Sequence, residues 1–153
     1  MTRIRSLIAF QLLVVGCGLA IGYLTSPGGW YMDLAKPIFT PPGWLFAPVW
    51  TLLYICIAVI GWRIYGWRQK AASRRAAWVW WTQLALNFLW SPMFFGLHLT
   101  GAALIVLMLL LITIILLIVI AWSRDRIAAL LTLPYALWVA FAGALNGTIV
   151  ALN

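Results

Sequence analysis

Acidic side chains are nearly absent from this 153-residue chain. Asp33 and Asp125 are the only two carboxylate side chains against ten Lys and Arg residues, which gives a formal net charge of +8. Charged residues of both signs make up only 8% of the chain, and 66% of the residues are hydrophobic. A soluble domain of this length would need a far larger polar surface. The composition therefore predicts an integral membrane protein with a single domain over residues 1–153.

Catalytic and metal-binding side chains are also scarce. His98 is the sole histidine, which excludes a bis-histidine haem and argues against a structural metal site. Neither a Ser/His/Asp nor a Cys/His constellation can be assembled. Cys17 and Cys56 lie inside apolar runs and indicate neither a disulfide framework nor a redox motif. We predict no conventional catalytic residue, no metal ligand and no obligatory cofactor, so any chemistry would have to come from a ligand.

Five apolar stretches are long enough to cross a bilayer, which takes about 20 helical residues. Backbone polar groups cannot stay unpaired in lipid, and the alternating pattern of a barrel is absent. The first stretch resembles a signal peptide, but it is long and lacks an obvious cleavage site, so we interpret it as a retained span. The fold predicted is an all-α membrane protein, a bundle of five transmembrane helices at approximately residues 7–24, 44–64, 78–96, 101–122 and 127–150.

Positive charge is distributed unevenly between the loops. With five spans, one side of the membrane receives every Lys and Arg except Lys36, namely Arg3, Arg5, Arg63, Arg68, Lys70, Arg74, Arg75, Arg124 and Arg126. Cytoplasmic loops collect basic residues, so we predict a cytoplasmic N-terminus and a long outer loop between the first two helices, in a bacterial inner membrane. Nucleic-acid binding is not predicted, since the basic residues form no aromatic-laced patch.

Eleven tryptophans are the most unusual feature of the composition. Interfacial anchoring accounts for the six nearest the basic side, which are Trp62, Trp67, Trp78, Trp80, Trp81 and Trp122. Trp30, Trp44 and Trp90 lie near the outer boundary, where anchoring is no longer the only explanation. Trp50 and Trp138 lie deeper, where an indole N–H facing lipid would be unsatisfied. We predict that these two point into the bundle, either for core packing or toward a ligand.

Three side-chain amides lie at membrane depth. Gln83 and Asn87 share one helix face at i and i+4, and Asn146 lies in the last span. Polar groups are costly in lipid, so we expect all three to face the interior, where they bond neighbouring helices or contact a ligand. The motifs Gly18-x-x-x-Gly22 and Gly143-x-x-x-Gly147 predict close helix packing, within one chain or across a dimer.

The loop from Ser26 to Gly43 is too long and too rich in proline to be a simple connector. Its prolines stiffen the path and break any helix. Trp30, Tyr31 and Phe39 give it an apolar surface that should avoid water. We predict a lid over the outer end of the bundle, with a loop lying on the membrane surface as the alternative.

Several short blocks of sequence are distinctive as a set. They are Trp30-Tyr31, Lys36-Pro37, Pro41-Pro42-x-Trp44, Pro48-Val49-Trp50-x-x-x-Tyr54, Gln83-Leu84-Ala85-Leu86-Asn87, Trp90-x-Pro92-x-Phe94-Phe95-Gly96, Pro134-Tyr135-x-x-Trp138 and Leu145-Asn146. In this order, and over nearly the whole chain, the blocks resemble the TspO/MBR family, which comprises the tryptophan-rich sensory proteins and the mitochondrial translocator protein, or peripheral-type benzodiazepine receptor.

The resemblance implies a five-helix bundle, commonly a homodimer in the lipid bilayer. Its ligands would be porphyrins, haem-type tetrapyrroles or other flat apolar molecules. The function implied is that of a membrane receptor or binding protein with a sensory, regulatory or tetrapyrrole-handling role. Two alternatives stay open, which are a small transporter of porphyrin-like solutes and a protein that degrades porphyrin under light with tryptophan assistance.

A ligand site beneath the loop is the next implication of the resemblance. Together with the buried polar and aromatic positions, it gives a predicted ligand-binding set of Trp30, Trp44, Trp50, Asn87, Trp90, Trp138, Ala142, Leu145 and Asn146. The predicted lid residues are Lys36, Pro37, Phe39, Pro41 and Pro42. A flat ring would stack on the indoles of Trp50, Trp90 and Trp138, an amide would meet its polar edge, and Lys36 would pair with a propionate.

Three positions depart from the family pattern. Phe39 replaces the usual tryptophan after Lys-Pro, which keeps a stacking face and loses an N–H donor. Ala102 replaces an aromatic residue early in the fourth span, which would enlarge or open the pocket. Gly147 and Ala151 replace the tyrosine and arginine of the cholesterol motif, so sterol binding is not predicted.

Overall fold

Helices account for all regular structure in the part of the chain that the computed structural model describes, residues 3–67 and 70–153, and no strand occurs there. The predicted all-α fold is confirmed for these residues. Five helices have 20 or more residues, and a sixth is short. They are α1 (Arg3–Leu24), α2 (Gly29–Asp33), α3 (Phe46–Tyr65), α4 (Lys70–Ser91), α5 (Thr100–Trp122) and α6 (Arg126–Leu152).

Among the described residues, four helical segments are long and apolar enough to cross a membrane. They are α1, α3 with its preceding 3-10 turn (Gly43–Tyr65), α5 and α6. The predicted third span falls in α4, which has the length of a span but not its apolar composition. The reason is visible in the sequence, because basic residues occupy its first turns and the amides of Gln83 and Asn87 its middle.

Two of the long helices start well before the predicted spans. Helix α1 begins at Arg3 rather than near residue 7, and α4 begins at Lys70 rather than at Trp78. Hydropathy marks only the apolar part of a helix, whereas backbone hydrogen bonding continues into the basic turns outside that part. The remaining helix ends lie within a few residues of the prediction.

Each helix has a face turned toward its neighbours. Helix α5 packs between α4 and α6, α3 packs on α6 and α4, and α1 packs on α3. On α5, Leu107, Leu110 and Ile114 are buried, whereas Ile105 and Ile112 are more than half exposed. An apolar surface of this kind suits contact with lipid.

All the Lys and Arg residues of the described chain except Lys36 gather at one end of the bundle, which we call the basic end. There, the Trp62 indole donates to the Arg3 carbonyl (3.2 Å), and Ser73 Oγ donates to the Ile64 carbonyl (2.8 Å). Arg68, which belongs to the same predicted group, lies outside the described residues. At the opposite end, which we call the outer end, the 26–43 loop contacts the last turn of α6 through Asn153.

Asp125 fixes the start of α6 at the basic end. Its side chain is 10% exposed and accepts two hydrogen bonds from Arg63, each 2.8 Å long, and its Oδ1 also accepts from the Ala128 amide at 3.1 Å. Burial alone would raise the pKa of this carboxyl group. The hydrogen bonds from Arg63, Ala128 and Trp67, together with the charge of Arg63, outweigh that effect and hold the pKa below its usual value.

Trp80 corrects one of the sequence interpretations. It is completely buried, and its indole N–H donates to the Ile57 carbonyl at 2.9 Å, so it is not an interfacial anchor. Its ring occupies the space left by the missing side chain of Gly61, where a Cβ would come within 2.5 Å of the indole. Gly18 makes similar room for the ring of Tyr54, whereas Gly22 faces open space, so the first small-residue motif packs α1 on α3 through one glycine.

Candidate functional site

A polar centre lies in the core between α4 and α6. The Tyr135 hydroxyl donates to Gln83 Oε1 at 2.8 Å and accepts a hydrogen bond from Asn87 Nδ2 at 2.9 Å. All three side chains are at most 4% exposed. Within the described residues, Gln83 Nε2 and Asn87 Oδ1 have no partner. One donor group and one acceptor are thus left available in an apolar interior, where each unpaired group costs about 1–3 kcal/mol.

Aromatic rings surround this centre. Trp50 of α3 stacks on Tyr54, with ring centroids 5.5 Å apart, and its ring meets Tyr135 edge-on at 6.5 Å. Trp138 of α6 lies edge-on to Phe46 at 5.8 Å. The indole N–H of Trp138 is buried and is the third polar group without a partner in the described part of the chain. Both tryptophans are half-buried against the core, in agreement with the predicted inward orientation.

Trp90 and Asn146 bond to each other instead of facing an open site. The Trp90 indole N–H donates to Asn146 Oδ1 at 3.2 Å, and Asn146 Nδ2 donates to the Thr100 carbonyl at 2.9 Å. These bonds tie α4, α5 and α6 together near the outer end. Asn146 therefore uses its oxygen and one N–H within the protein, whereas Asn87 keeps its oxygen available.

An apolar cleft of about 330 Å³ opens between α3 and α6. Leu52 and Leu137 stand at its edges and are 63% and 73% exposed, so the cleft faces the surroundings of the bundle. Trp138 forms part of its wall, next to the polar centre. The lining residues are Val49, Leu52, Leu53, Pro134, Leu137, Trp138 and Phe141.

The end of α4 widens into a π-helical turn, Pro92–Gly96, closed by a hydrogen bond from the Leu97 amide to the Pro92 carbonyl at 2.9 Å. The extra residue in such a turn rotates the side chains that follow it. Here it buries Phe94, whose ring contacts Trp90 at 5.6 Å and Trp30 at 5.9 Å. Trp30 also stacks on His98, with ring centroids 4.0 Å apart. Trp30 thus belongs to an outer aromatic layer above the polar centre.

The 26–43 loop covers this outer layer and contains the short helix α2, which the proline pattern did not predict. Tyr31 packs edge-on against Phe94 and Phe95, and partial burial raises its pKa. Lys36 Nζ donates to the carbonyls of Met32 and Leu34 at 2.9 and 2.8 Å, so it closes the end of α2. A lysine ammonium has three donors, and one remains for a ligand anion.

The loop is also joined to α6 by a side-chain amide. Asn153 Oδ1 accepts from the Ala35 amide and Asn153 Nδ2 donates to the Ala35 carbonyl, both at 3.0 Å. A second bond from Nδ2 to the Ile149 carbonyl at 2.9 Å holds the side chain in place. Phe39 contacts Phe141 edge-on at 6.3 Å, which brings the loop to the upper edge of the α3–α6 cleft.

The other predicted residues fall into two groups. Ala142 and Leu145 are buried on α6, each 6% exposed, and Trp90 packs against the core clusters that contain them. Trp44 is 73% exposed in the 3-10 turn before α3, and Pro42 precedes that turn. Pro37 and Pro41 are half-buried in the loop. The structure therefore brings Trp50, Asn87, Trp90, Trp138, Ala142, Leu145 and Asn146 to one region, puts Trp30 above it, and turns Trp44 outward.

The predicted ligand-binding set left out three side chains that shape this region. Tyr135 joins the two α4 amides, Phe46 packs on Trp138, and Gln83 supplies an available donor. A signal for Tyr135 was present, since two amides at i and i+4 in a span need a hydrogen-bonding partner at the same depth. Nothing comparable in the sequence marks Phe46.

This arrangement can hold a flat molecule with both donors and acceptors on its edge. Its aromatic faces favour stacking, and three buried polar atoms have no hydrogen-bond partner within the described residues. Within residues 3–67 and 70–153, no group of three or more His, Cys, Asp or Glu side chains could hold a metal ion.

Comparison with known proteins gives a consistent set of relatives. The model of the TspO/MBR family matches residues 9–152. The chain is 43% identical to tryptophan-rich protein TspO of Archaeoglobus fulgidus, over 99% of both chains. It is 38% identical to protein CrtK of Rhodobacter capsulatus, over 97% of this chain and 93% of that protein. With the translocator protein of Bos taurus the identity is 38%, over 76% of this chain and 70% of the relative.

Proposed function

The chain belongs to the TspO/MBR family, and we propose that this integral membrane protein binds porphyrins and related tetrapyrroles, or similar flat apolar ligands. Its role would be sensory or regulatory, or the handling of tetrapyrroles in the membrane. The observation that carries the proposal is the set of three buried polar atoms without partners, Gln83 Nε2, Asn87 Oδ1 and Trp138 Nε1, beside aromatic faces.

The proposal includes five membrane spans, with α4 as the third. At 1.5 Å per residue the 22 residues of α4 extend about 33 Å, which matches a bilayer core of about 30 Å. The helix runs from the basic end, where Ser73 bonds to Ile64, to the outer end, where Trp90 bonds to Asn146. Its polar side chains Gln83 and Asn87 face the interior, so a low apolar content does not prevent insertion.

The proposed orientation puts the basic end in the cytoplasm of a bacterial cell and the 26–43 loop outside its inner membrane. Basic residues are retained on the cytoplasmic side during insertion. Among the described Lys and Arg residues, Lys36 alone lies at the outer end, and it donates two hydrogen bonds to carbonyls of its own loop.

The ligand site proposed extends from the α3–α6 cleft to the polar centre. A tetrapyrrole carries ring N–H groups and ring nitrogens, which complement the available acceptor of Asn87 and the donors of Gln83 and Trp138. Asn87 is favoured over Asn146 for this contact, because Asn146 is bonded on both sides. The cleft of about 330 Å³ is at the lower end of ligand pockets, so Leu52 and Leu137 would have to move apart.

A titration with protoporphyrin IX tests the proposal. The double variant Trp50→Phe/Trp138→Phe removes two indole faces and one available donor, so its affinity should fall by about tenfold or more, given about 0.5–1.5 kcal/mol for an aromatic pair. Binding is followed by the absorbance of the porphyrin in detergent. The matched control is Trp78→Phe/Trp122→Phe, two exposed tryptophans of the basic end, which should bind as the parent protein does. Equal affinity of both double variants would contradict the site.

Movement of the same ligands across the membrane is a second candidate. It is favoured by the name translocator protein of the bovine relative and by the opening of the cleft between Leu52 and Leu137. Reconstituted vesicles loaded with porphyrin distinguish the two functions. If the protein only binds porphyrin, release should not exceed that from loaded vesicles without protein. If the protein transports porphyrin, release should be faster, and the Trp50→Phe/Trp138→Phe variant should lose the increase.

A further inference from the structure

A second cleft, of about 510 Å³, lies at the basic end between the start of α4 and the end of α5. Three cations line it, Lys70 and Arg75 from α4 and Arg124 from the turn that follows α5, with small or aliphatic side chains between them. The site is far from the α3–α6 cleft and plays no part in the proposed tetrapyrrole binding.

The protein itself cannot neutralise these cations. Its only two carboxylate side chains are Asp33 and Asp125. Asp125 is paired with Arg63, and Asp33 ends α2 at the opposite end of the bundle. Three like charges that converge on one cleft repel one another unless an anion joins them. Charge complementarity therefore calls for an external anion.

Two exposed tryptophans show at which level of the membrane the cleft lies. Trp78 follows Arg75 by one turn of α4 and is 75% exposed, and Trp122 stands two residues before Arg124 and is 45% exposed. Exposed tryptophans of membrane helices collect at the level of the lipid headgroups. The three cations consequently lie at the height of the phosphates rather than in free solution.

The cleft continues into an apolar track. Ile120 lies in its wall, and Leu116, one turn deeper on the same face of α5, is 47% exposed. On α4 the wall is made of Ala71 and Ala72, whose small side chains leave space beside the cations. A free anion would gain nothing from such a track, whereas an acyl chain would cover it.

We infer that this cleft binds the phosphodiester headgroup of an anionic phospholipid, whose acyl chain lies along Ile120 and Leu116. Basic pockets between helices at a membrane surface are suited to such headgroups. The occupant would be a glycerophospholipid with net negative charge, held by Lys70, Arg75 and Arg124.

The inference is tested by native mass spectrometry of the delipidated full chain, titrated with phosphatidylglycerol or with phosphatidylcholine of the same acyl chains. Arg75→Gln/Arg124→Gln should weaken phosphatidylglycerol binding by about 25-fold, since each basic residue near a membrane surface contributes about fivefold. The control Arg5→Gln/Arg74→Gln removes equal charge from the basic end but not from the cleft, and should change binding by less than about twofold.

Three results would overturn the inference. The first is equal binding of phosphatidylglycerol by Arg75→Gln/Arg124→Gln and by the control Arg5→Gln/Arg74→Gln. The second is binding of phosphatidylcholine by the parent protein as tightly as phosphatidylglycerol. The third is displacement of the lipid by millimolar inorganic phosphate, which would mark a free-anion site. Thermal melting of each variant shows whether it is folded. Lys70→Gln/Arg75→Gln serves as a second cleft variant, because it preserves the bond from Arg124 to the Ile120 carbonyl.

Discussion

At the scale of single residues, Tyr135 holds the polar centre together. Within the described residues, its hydroxyl is the one hydrogen-bond partner of both Gln83 Oε1 and Asn87 Nδ2. Tyr135→Phe would leave two complete amide groups unpaired in the core, so we expect the free energy of unfolding in detergent to fall by about 1–3 kcal/mol. Tyr23→Phe is the matched control, because Tyr23 is 83% exposed. An equal effect of the two substitutions would show that the hydroxyl of Tyr135 is not required.

The burial of a side chain was predictable where exposure to lipid would be too costly. Gln83, Asn87 and Asn146 are expensive in lipid, and all three are buried as predicted. Trp80 was assigned wrongly, because a tryptophan near the end of a span satisfies the anchoring pattern on any face of the helix. Its burial depends on Gly61 of another helix, and sequence alone does not show which glycine faces which ring.

At the scale of helices, Asp125 joins α3 to α6 and also caps α6. Asp125→Ala removes both interactions, whereas Asp125→Asn keeps a capping oxygen and loses only the ion pair. We expect the free energy of unfolding of the Asp125→Ala variant to fall by about 3 kcal/mol or more. The lost cap accounts for about 1 kcal/mol of that decrease. Chemical denaturation of both variants in detergent measures the difference, and identical losses would argue against a capping role.

The same ion pair predicts a dependence on pH. The pKa of Asp125 is lowered in the folded protein, so its stabilisation is fully present above the unfolded value of about 3.9. It should be lost as the pH falls through the lower folded value. Acid melting of the parent protein should therefore show a steeper loss of stability below about pH 4 than melting of Asp125→Asn. Parallel curves would mean that the pair contributes nothing.

Helix positions followed from hydropathy, but helix lengths did not. The apolar stretches placed each long helix, yet α4 extends eight residues before its predicted start, through Lys70, Arg74 and Arg75. Those turns are held by contacts with other helices, such as the bond from Ser73 to Ile64. The α2 helix was missed because its five residues lie between prolines and carry no periodic signal.

At the scale of the whole molecule, the 26–43 loop is fastened to α6 by Asn153. Asn153→Ala removes both hydrogen bonds to Ala35, while the packing of Trp30 and Tyr31 remains. We expect faster hydrogen exchange at the Ala35 amide and faster entry and release of protoporphyrin IX, with little change in melting temperature. Thr148→Ala is the control, since its hydroxyl bonds only within α6. Unchanged exchange at Ala35 would contradict this role.

The whole assembly was predictable in outline and the site in part. Composition and the distribution of charge gave the helical membrane fold, because lipid allows few alternatives. The cleft between α3 and α6 was not predictable, since it depends on the separation of two helices rather than on any residue type. The dimer suggested by the family resemblance stays a prediction.

A structure of the protein with bound protoporphyrin IX tests the central claim most directly. We predict that the ligand lies in the α3–α6 cleft, with the centroid of one of its pyrrole rings about 4.5–7 Å from the centroid of the Trp138 indole. A polar atom of the ligand should lie within about 3.2 Å of Gln83 Nε2 or Asn87 Oδ1. A porphyrin bound elsewhere on the bundle, with both amide atoms still unpaired, would contradict the account.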